Sequence, residues 1–461
     1  MDGIRCCNMR IAVCGVGYTG IITAVVLCEF GHTLFCYDID PELLDSLQNI
    51  SIIEPGLDTL IQHYKDCGKL KIATDLSTLL QNIDVVFLTV PVKGQGTQDI
   101  DLSQLISLLE NITPYLSRDR YLPLFLKTAV PVGTSAVLAN NVSQMRPDLV
   151  PGLHYDIINN PNFMREGSAV HDLMKPDRVI FGLSQTALQE IDSLARKTID
   201  NIFSPLQYWN VPFLYTNYET AELIKSATTG LVTIKMAYAN EIEKLCNNAG
   251  IDLKVLFKGI GSDRRVSSGD LLCNAGIGGS SLPRTSRLLV ESAKKFGADL
   301  SILSIALTSN KKRIQSISDK ILHFFKNSDN SHNHKASVLG IAFKPLSDDI
   351  RESPSLSVIR ELLNNKINVS LYDPYYLPKS FNIKNIPQDI MTNKYFSICS
   401  SAYDAVCQSD VLVIMTNWPQ FAQLDMEKIK ELMGSTYHTP VLFDCHNMFQ
   451  QYSQSFLYIA A

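Results

Sequence analysis

The 461-residue chain lacks a basic excess: 41 Lys and Arg stand against 46 Asp and Glu, a formal net charge of −5. A phosphate backbone is met by a basic surface, so nothing here calls for a nucleic-acid partner, and a small anionic ligand would have to be held by local groups. Long apolar runs are missing too. None reaches the length of a membrane span, and Met1 to Arg10 has no apolar region behind a basic one, so a cytoplasmic protein with no membrane partner is expected. The eleven cysteines (6, 7, 14, 28, 36, 67, 246, 273, 399, 407 and 445) are odd in number and show no paired, metal-type spacing. They read as reduced, mostly buried thiols, and no metal is expected. What the chain has is length and apolar content, 46% hydrophobic against 19% charged, enough for two or three domains with proper cores.

From Arg10 the pattern is strand, turn, helix, strand. Ile11-Ala12-Val13-Cys14 leads into Gly15-Val16-Gly17-Tyr18-Thr19-Gly20, an apolar helix runs to Phe30, and Thr33 to Tyr37 ends at Asp38. A G-x-G-x-x-G in this setting, with an acidic residue about 20 positions on, is the dinucleotide fingerprint. Gly15 makes the turn, Gly17 lets backbone approach a pyrophosphate at the helix start, and Gly20 allows close helix–strand packing. Asp38 would accept from the adenosine ribose, and with no arginine beside it NAD fits better than NADP.

Strands continue at Asp84–Val90 and Leu124–Thr128, so Pro91, Ala129 and Pro131, beyond their carboxyl ends, are candidates for the cleft wall. In the turn Asn159 to Gly167, Glu166 reads equally as a helix-start carboxylate or a substrate group. From Glu219 to about Asn248 the period is helical over roughly 30 residues, about 45 Å, longer than a surface helix needs. Lys225 near its start is either a solvated lysine or one aimed at a ligand. Asn274 to Thr285, rich in glycine and hydroxyls, reads as a tight exposed loop of the kind that carries chemistry. Ser286 to Phe325 reads as largely helical. Asn327 to Lys335 is wholly polar and reads as a linker; its histidines, and His323 before it, have no ligand spacing. A second α/β unit follows, with Asp373, Asn417 and Asp444 at strand ends. The fold class is thus α/β, two Rossmann-like doubly wound domains joined by a long central helix and a helical middle domain.

On these residues the chain resembles the UDP-glucose/GDP-mannose dehydrogenase family from Met9 to about Gln450. The matching segments include Gly15 to Asp40, Glu54-Pro55-Gly56-Leu57, Val130 to Thr134, Asn160 to Gly182, Ala221 to Lys225, Lys258 to Gly261, Val338 to Pro354 and Phe443-Asp444. Arg165 to Ala169 and Pro176-Asp177-Arg178 look more like its UDP-glucose branch. The resemblance implies oxidation at C6 of a UDP-hexose with two NAD, a role in polysaccharide biosynthesis, and a homodimer or higher homo-oligomer through the long helix. It implies an NAD-binding domain over 1–205, a helical central and dimerisation domain over 206–326, a linker over 327–335 and a nucleotide-sugar domain over 336–461. Cofactor contacts would fall on Gly15, Val16, Gly17, Tyr18, Thr19, Gly20, Asp38, Pro91 and Ala129. Substrate contacts would fall on Phe163, Met164, Arg165, Lys225, Arg265, Gly278, Lys344 and His446, with Arg265 reaching a neighbouring chain's site.

The catalytic set departs from the family. Its G-G-S-C-F-P-K-D reads Gly278 to Thr285, with Ser281 for the nucleophilic cysteine and Thr285 for the aspartate. Ala129 replaces a water-binding threonine, Asn162 a general-base glutamate, Thr229 an asparagine and His446 an arginine. Lys225, Glu166, Arg265 and Lys344 survive. A thiol with a pKa of roughly 8.5 supplies thiolate at neutral pH, whereas a hydroxyl needs an adjacent base, which neither Asn162 nor Thr285 can be. Cys273 could take over only by a large loop shift. Two readings follow: an NAD-dependent nucleotide-sugar oxidoreductase that stops after one two-electron step or runs a redox-neutral cycle, and a non-catalytic binding protein or hetero-oligomer partner of the same fold.

Overall fold

The computed structural model describes residues 8–49, 53–92, 101–267, 271, 273–327, 334–433 and 439–460. Cys6, Cys7, His332 and most of the expected linker lie outside the described residues. The chain divides into two compact units, Met1–Thr228 and Thr229–Ala461.

In the first unit, short apolar runs form β1 (Arg10–Cys14), β2 (Thr33–Tyr37), β3 (Leu70–Ile72), β4 (Val85–Leu88), β5 (Leu122–Leu126), β6 (Tyr155–Asn159), β7 (Val179–Leu183) and β8 (Phe213–Asn217). They line up as β3-β2-β1-β4-β5-β6-β7-β8, with only β6 and β7 antiparallel among these pairs. Order reverses between β1 and β4, the switch point beyond which such sheets bind ligands. Both faces of the central strands are covered, so β4 and β5 are apolar and buried along their whole length and β1 from Ile11 onward. On β1, Ile11 and Val13 enter one core while Ala12 and Cys14 enter the other. Helix α1 (Tyr18–Glu29) is buried from Gly20 to Cys28, as a helix apolar all round must be. It stops where Gly31, at φ +100°, lets its own N–H and that of His32 turn back onto Cys28 O and Leu27 O. β5 (Leu122–Leu126) lies two residues ahead of the expected strand and β4 (Val85–Leu88) is shorter than the 84–90 expected, although Thr89 N and Lys127 N still bond across to Cys14 O and Leu88 O (2.9 and 3.0 Å). Three further helices bear on the site: α2 (Thr134–Met145), α3 (Ala169–Met174) and α4 (Tyr218–Ala249), whose 32 residues run on into the second unit.

The second unit opens with the rest of α4, then α5 (Leu253–Gly261), α6 (Leu282–Lys295), α7 (Ser301–Lys326) and α8 (Pro354–Asn364). The helix expected from Ser286 to Phe325 is two helices. It begins at Leu282 and breaks at Gly297, whose φ of +71° closes the turn onto Lys294 O. The sheet comprises β9 (Lys335–Leu339), β10 (Asn368–Tyr372), β11 (Phe396–Ile398), β12 (Val411–Ile414), β13 (Val441–Asp444) and β14 (Leu457–Ala460). It is wholly parallel, in order β11-β10-β9-β12-β13-β14. This is again the 3-2-1-4-5-6 order of a dinucleotide-binding sheet. No helix among the described residues is long and apolar enough to cross a membrane.

Candidate functional site

The dinucleotide turn is built by close approach at the switch point. Gly15 adopts φ +102°, and a Cβ there would lie 2.7 Å from Val90 N; a Cβ on Gly20 would lie 1.9 Å from Gly15 O. Gly17 has open space instead, so backbone can meet a ligand at the start of α1, whose own first turn carries no acidic residue. Thr89 Oγ1 donates to Cys14 O and Gly15 O (2.9 and 2.6 Å), fixing the turn from across the sheet. Asp38 Oδ2 accepts from Val16 N at 2.7 Å and Oδ1 from Asp40 N at 3.0 Å, and the carboxylate stays only half-buried. A tightly packed glycine turn, open backbone at Gly17 on a helix start and a reachable carboxylate fit NAD. Pro91 is exposed and Ala129 half-buried beyond β4 and β5, whose ends are tied by Thr128 Oγ1 donating to Val90 O at 2.8 Å.

Around the turn after β6 the first unit gathers cations. Phe163 has the Arg178 guanidinium 4.3 Å and Lys225 Nζ 5.2 Å from its ring centre. Loss of water, then the nearby Arg178 charge, pulls the Lys225 amine down to about 8. Lys127 is buried and donates to Asn160 Oδ1 at 2.8 Å; burial, then Lys225, pulls it to about 7. Lys225 is therefore no solvated surface lysine. Glu222, three residues earlier on α4, caps α2 by accepting from Gly133 N, Ser135 N and Ser135 Oγ (2.6, 2.7 and 2.7 Å), which fixes the stretch of α4 that carries Lys225.

Asn162 uses its amide locally: Oδ1 accepts from Met164 N (2.8 Å) and Nδ2 donates to Thr19 Oγ1 (3.4 Å). Met164 packs against the core, and the Arg165 guanidinium is held on Asp172 (2.7 and 2.9 Å). Glu166 is half-buried, and its charge helps raise the Tyr18 phenol. The start of α3 meets Glu54, which accepts from Gly167 N and Ala169 N (2.7 and 2.6 Å).

In the second unit, the stretch from Asn274 differs from the exposed loop expected. Ala275 to Gly279 are buried, and Leu282 to Thr285 are the first turn of α6. The glycines serve close packing: a Cβ on Gly278 would lie 2.8 Å from Glu352 O, and one on Gly279 2.7 Å from the Phe343 ring. Asn274 O accepts from Arg313 (3.0 and 3.2 Å), its N–H bonds Asn240 Oδ1 (3.0 Å), and Asn310 brackets Ile277 through N–H and C=O (2.7 and 3.0 Å). Ser281 is exposed at the N-cap, and its carbonyl accepts from Thr285 N at 2.9 Å. Pro283 at the helix start needs no N–H partner there. Phe343 under Gly279 also brings Lys344 to this loop, its Nζ 5.6 Å from that ring.

Arg284, beside Ser281, is lowered by burial and then by Arg351 and Arg287, and its Nε has no hydrogen-bond partner among the described residues. Arg287 pairs with Glu352 (2.5 and 2.8 Å) and Arg351 with Asp349 (2.8 Å). Cys273 offers no substitute nucleophile: its thiol donates to Ala239 O at 3.3 Å, and burial, then Glu243, pushes it well above the usual thiol range. Thr229 is buried on α4, its carbonyl accepting from Thr233 Oγ1 at 3.1 Å. Arg265 is exposed after α5 and bonds Asp263 at 2.6 Å. His446 Nε2 lies 3.0 Å from Met415 O; a carbonyl only accepts, so Nε2 carries a proton, and loss of water lowers the ring's pKa.

Lys225 with Asn162, Phe163 and the glycine turn thus belong to one unit, and Ser281, Thr285, Gly278 and Lys344 to the other. Glu54, Glu222, Arg178 and Lys127 carry these arrangements without having been singled out by spacing, although Glu54, Arg178 and Glu222 stood in segments that resemble the family. Among the described residues no three His, Cys, Asp or Glu side chains cluster as metal ligands.

Residues 9–206 match the NAD binding domain of the UDP-glucose/GDP-mannose dehydrogenase family, 219–312 its central domain and 337–451 its UDP binding domain. The UDP-glucose 6-dehydrogenase of Rhizobium meliloti (strain 1021) is 30% identical over 446 residues, 96% of each chain. That of Rickettsia conorii (strain ATCC VR-613 / Malish 7) is 30% identical over 442 residues, 95% of each. The fold is similar to the UDP-glucose dehydrogenase structure from Pyrobaculum islandicum, with TM-score 0.84 and 23% identity, covering 100% of this chain and 99% of that one.

Proposed function

The chain belongs to the UDP-glucose/GDP-mannose dehydrogenase family, and from that premise we propose a NAD-dependent oxidoreductase that takes C6 of a UDP-hexose through one two-electron oxidation and does not complete the second. NAD, held by the Gly15–Gly20 turn and Asp38, supplies the hydride acceptor. Lys225 is the group to take the proton from the C6 hydroxyl, because an amine drawn down to about 8 is part neutral near pH 7 and sits, half-buried, in a cationic corner with Arg178 on the Phe163 ring. Ser281 cannot capture the aldehyde as a thiol would, and with Asn162 an amide and Thr285 a hydroxyl no carboxylate stands at those positions to deprotonate it or to bring in water. The observation that carries this reading is the contrast between a cofactor turn packed for a ligand and an exposed Ser281 where a nucleophile belongs.

The proposed homodimer would form through α4, which exposes Leu231, Tyr238 and Leu245 seven residues apart. A place in polysaccharide biosynthesis belongs to the same proposal.

A second reading, a non-catalytic binder of NAD and a nucleotide sugar, is favoured by Arg165 held on Asp172 and His446 held on Met415 O, two substrate positions already occupied. Purified protein with NAD and UDP-glucose or related UDP-sugars separates the two by NADH absorbance and mass spectrometry. One NADH per sugar with a C6 aldehyde supports the enzyme; ligand binding without turnover supports the binder. Ser281→Cys with Asn162→Glu and Thr285→Asp should regain a second NADH per sugar.

A further inference from the structure

Glu54 lies ahead of a helix that begins at Leu57 and is 6% exposed, yet its carboxylate is met by three donors from distant parts of the first unit. Tyr18 OH, 36 residues away, donates to Oε2; Gly167 N, 113 residues away, donates to the same oxygen at 2.7 Å, and Ala169 N donates to Oε1 at 2.6 Å. One carboxylate therefore joins the first residue of α1 to the turn that carries Asn162 to Glu166. A second thread runs beside it, from Asn162 Nδ2 to Thr19 Oγ1 at 3.4 Å. Burial, then Glu54, raises the Tyr18 phenol far above its usual range, so it remains a donor at every physiological pH.

We propose that Glu54 is a positioning residue that carries dinucleotide occupancy at the Gly15–Gly20 turn, through Tyr18, to the 162–169 turn. A pyrophosphate on the N-terminus of α1 fixes the first helical turn, of which Tyr18 is part. With Tyr18 fixed, Oε2 of Glu54 is fixed, and Gly167 and Ala169 are held with it. Order at one site then becomes order at the other, and a ligand on the second turn tightens NAD by the same factor. That last step rests on the function proposed above; the linkage itself does not.

Amide hydrogen exchange of the full chain with NAD alone tests it. NAD should slow exchange in peptides covering 160–170 by roughly fivefold or more, the lower end of ordinary site-to-site coupling. Tyr18→Phe keeps both backbone bonds to Glu54, so Gly167 and Ala169 should exchange as in the wild type without NAD, while the slowing at saturating NAD is lost. A purely structural Glu54 cap would leave that slowing intact, and such a result overturns the proposal, as does a wild type that shows no slowing. Should Tyr18→Phe not bind NAD at millimolar concentration, Glu54→Gln keeps the Tyr18 ring. Its amide NH2 cannot accept, so Gly167 N and Ala169 N are not both held; its NAD-induced slowing is read against its own NAD-free exchange, and slowing kept at the wild-type factor overturns the proposal. Because no sugar is present, failure here leaves the oxidoreductase reading untouched.

Discussion

The two units solve the same turn with the same parts and leave opposite results. After β1, Gly15 donates to Tyr37 O at 2.8 Å; after β9, Gly340 donates to Tyr372 O at 2.8 Å. Both glycines sit at positive φ, +102° and +96°, each against the residues beyond the strand across the switch point. Each tyrosine is followed by an aspartate that reaches back to the turn. Asp38 receives Val16 N and Asp40 N and stays half-buried, whereas Asp373 receives Ile341 N, Ala342 N, Tyr375 N and Trp418 Nε1 and is fully buried. One carboxylate stays half-buried and reachable, and the other is consumed by its own fold. The strand order sets up a ligand crevice; how many donors the protein brings to the aspartate decides whether that acid can read a ligand. A nucleotide in the second unit must be recognised by other groups.

The units also treat buried charge differently. Glu243, fully buried, is matched by Arg313 at 2.5 Å and Asn447 Nδ2 at 2.5 Å, whereas Lys127 has the neutral Asn160 Oδ1. Arg313→Met should give the largest effect, a loss of about 3–5 kcal/mol in denaturant unfolding, since it strands Glu243 and releases Asn274 O. The glycine pair comes next. Gly15→Ala and Gly340→Ala should each cost about 2–4 kcal/mol, from strain at positive φ and from a Cβ placed 2.7 Å from Val90 N or 2.4 Å from Thr416 Cβ. Calorimetric NAD titration then divides them: only Gly15→Ala should lose NAD, and equal losses would break the comparison.

Asp38→Ala should weaken NAD by about 10- to 100-fold with little change in Tm, the worth of a charged hydrogen bond. Asp373→Asn should leave NAD affinity unchanged and cost about 1–3 kcal/mol of stability.

The smallest effect is a pH slope. Lys127 titrates near 7 when folded against its ordinary 10.5, so between those values the unfolded chain binds the extra proton and stability rises with pH. Below about 7 both states are protonated and the burial cost is present in full. Lys127→Met should remove a slope on the order of 1 kcal/mol per pH unit between pH 7.5 and 9.5, seen in paired urea titrations. Identical slopes in the two proteins would mean the amine is solvated.

What the sequence made legible is local. The strand, glycine turn, helix and closing aspartate of the first unit are read from neighbours within about 30 positions, and α4 from its periodicity, because backbone geometry and amphipathic spacing act at that range. Glu54, Glu222 and Arg313 act over 70 to 115 residues of separation, and no spacing rule reports them. The buried glycines of 275–279 read as a flexible loop because a glycine needed for close packing and one needed for freedom look alike in a sequence. Ser281 and Asn162 were legible only as departures from a resembled pattern; their geometry adds that Asn162 is occupied by Met164 N and Thr19.

NADH released per UDP-glucose consumed, with the sugar product weighed, is the most direct measurement of whether this fold keeps cofactor chemistry without the second oxidation. One NADH and a C6 aldehyde is the predicted result; two NADH and a uronic acid would contradict it.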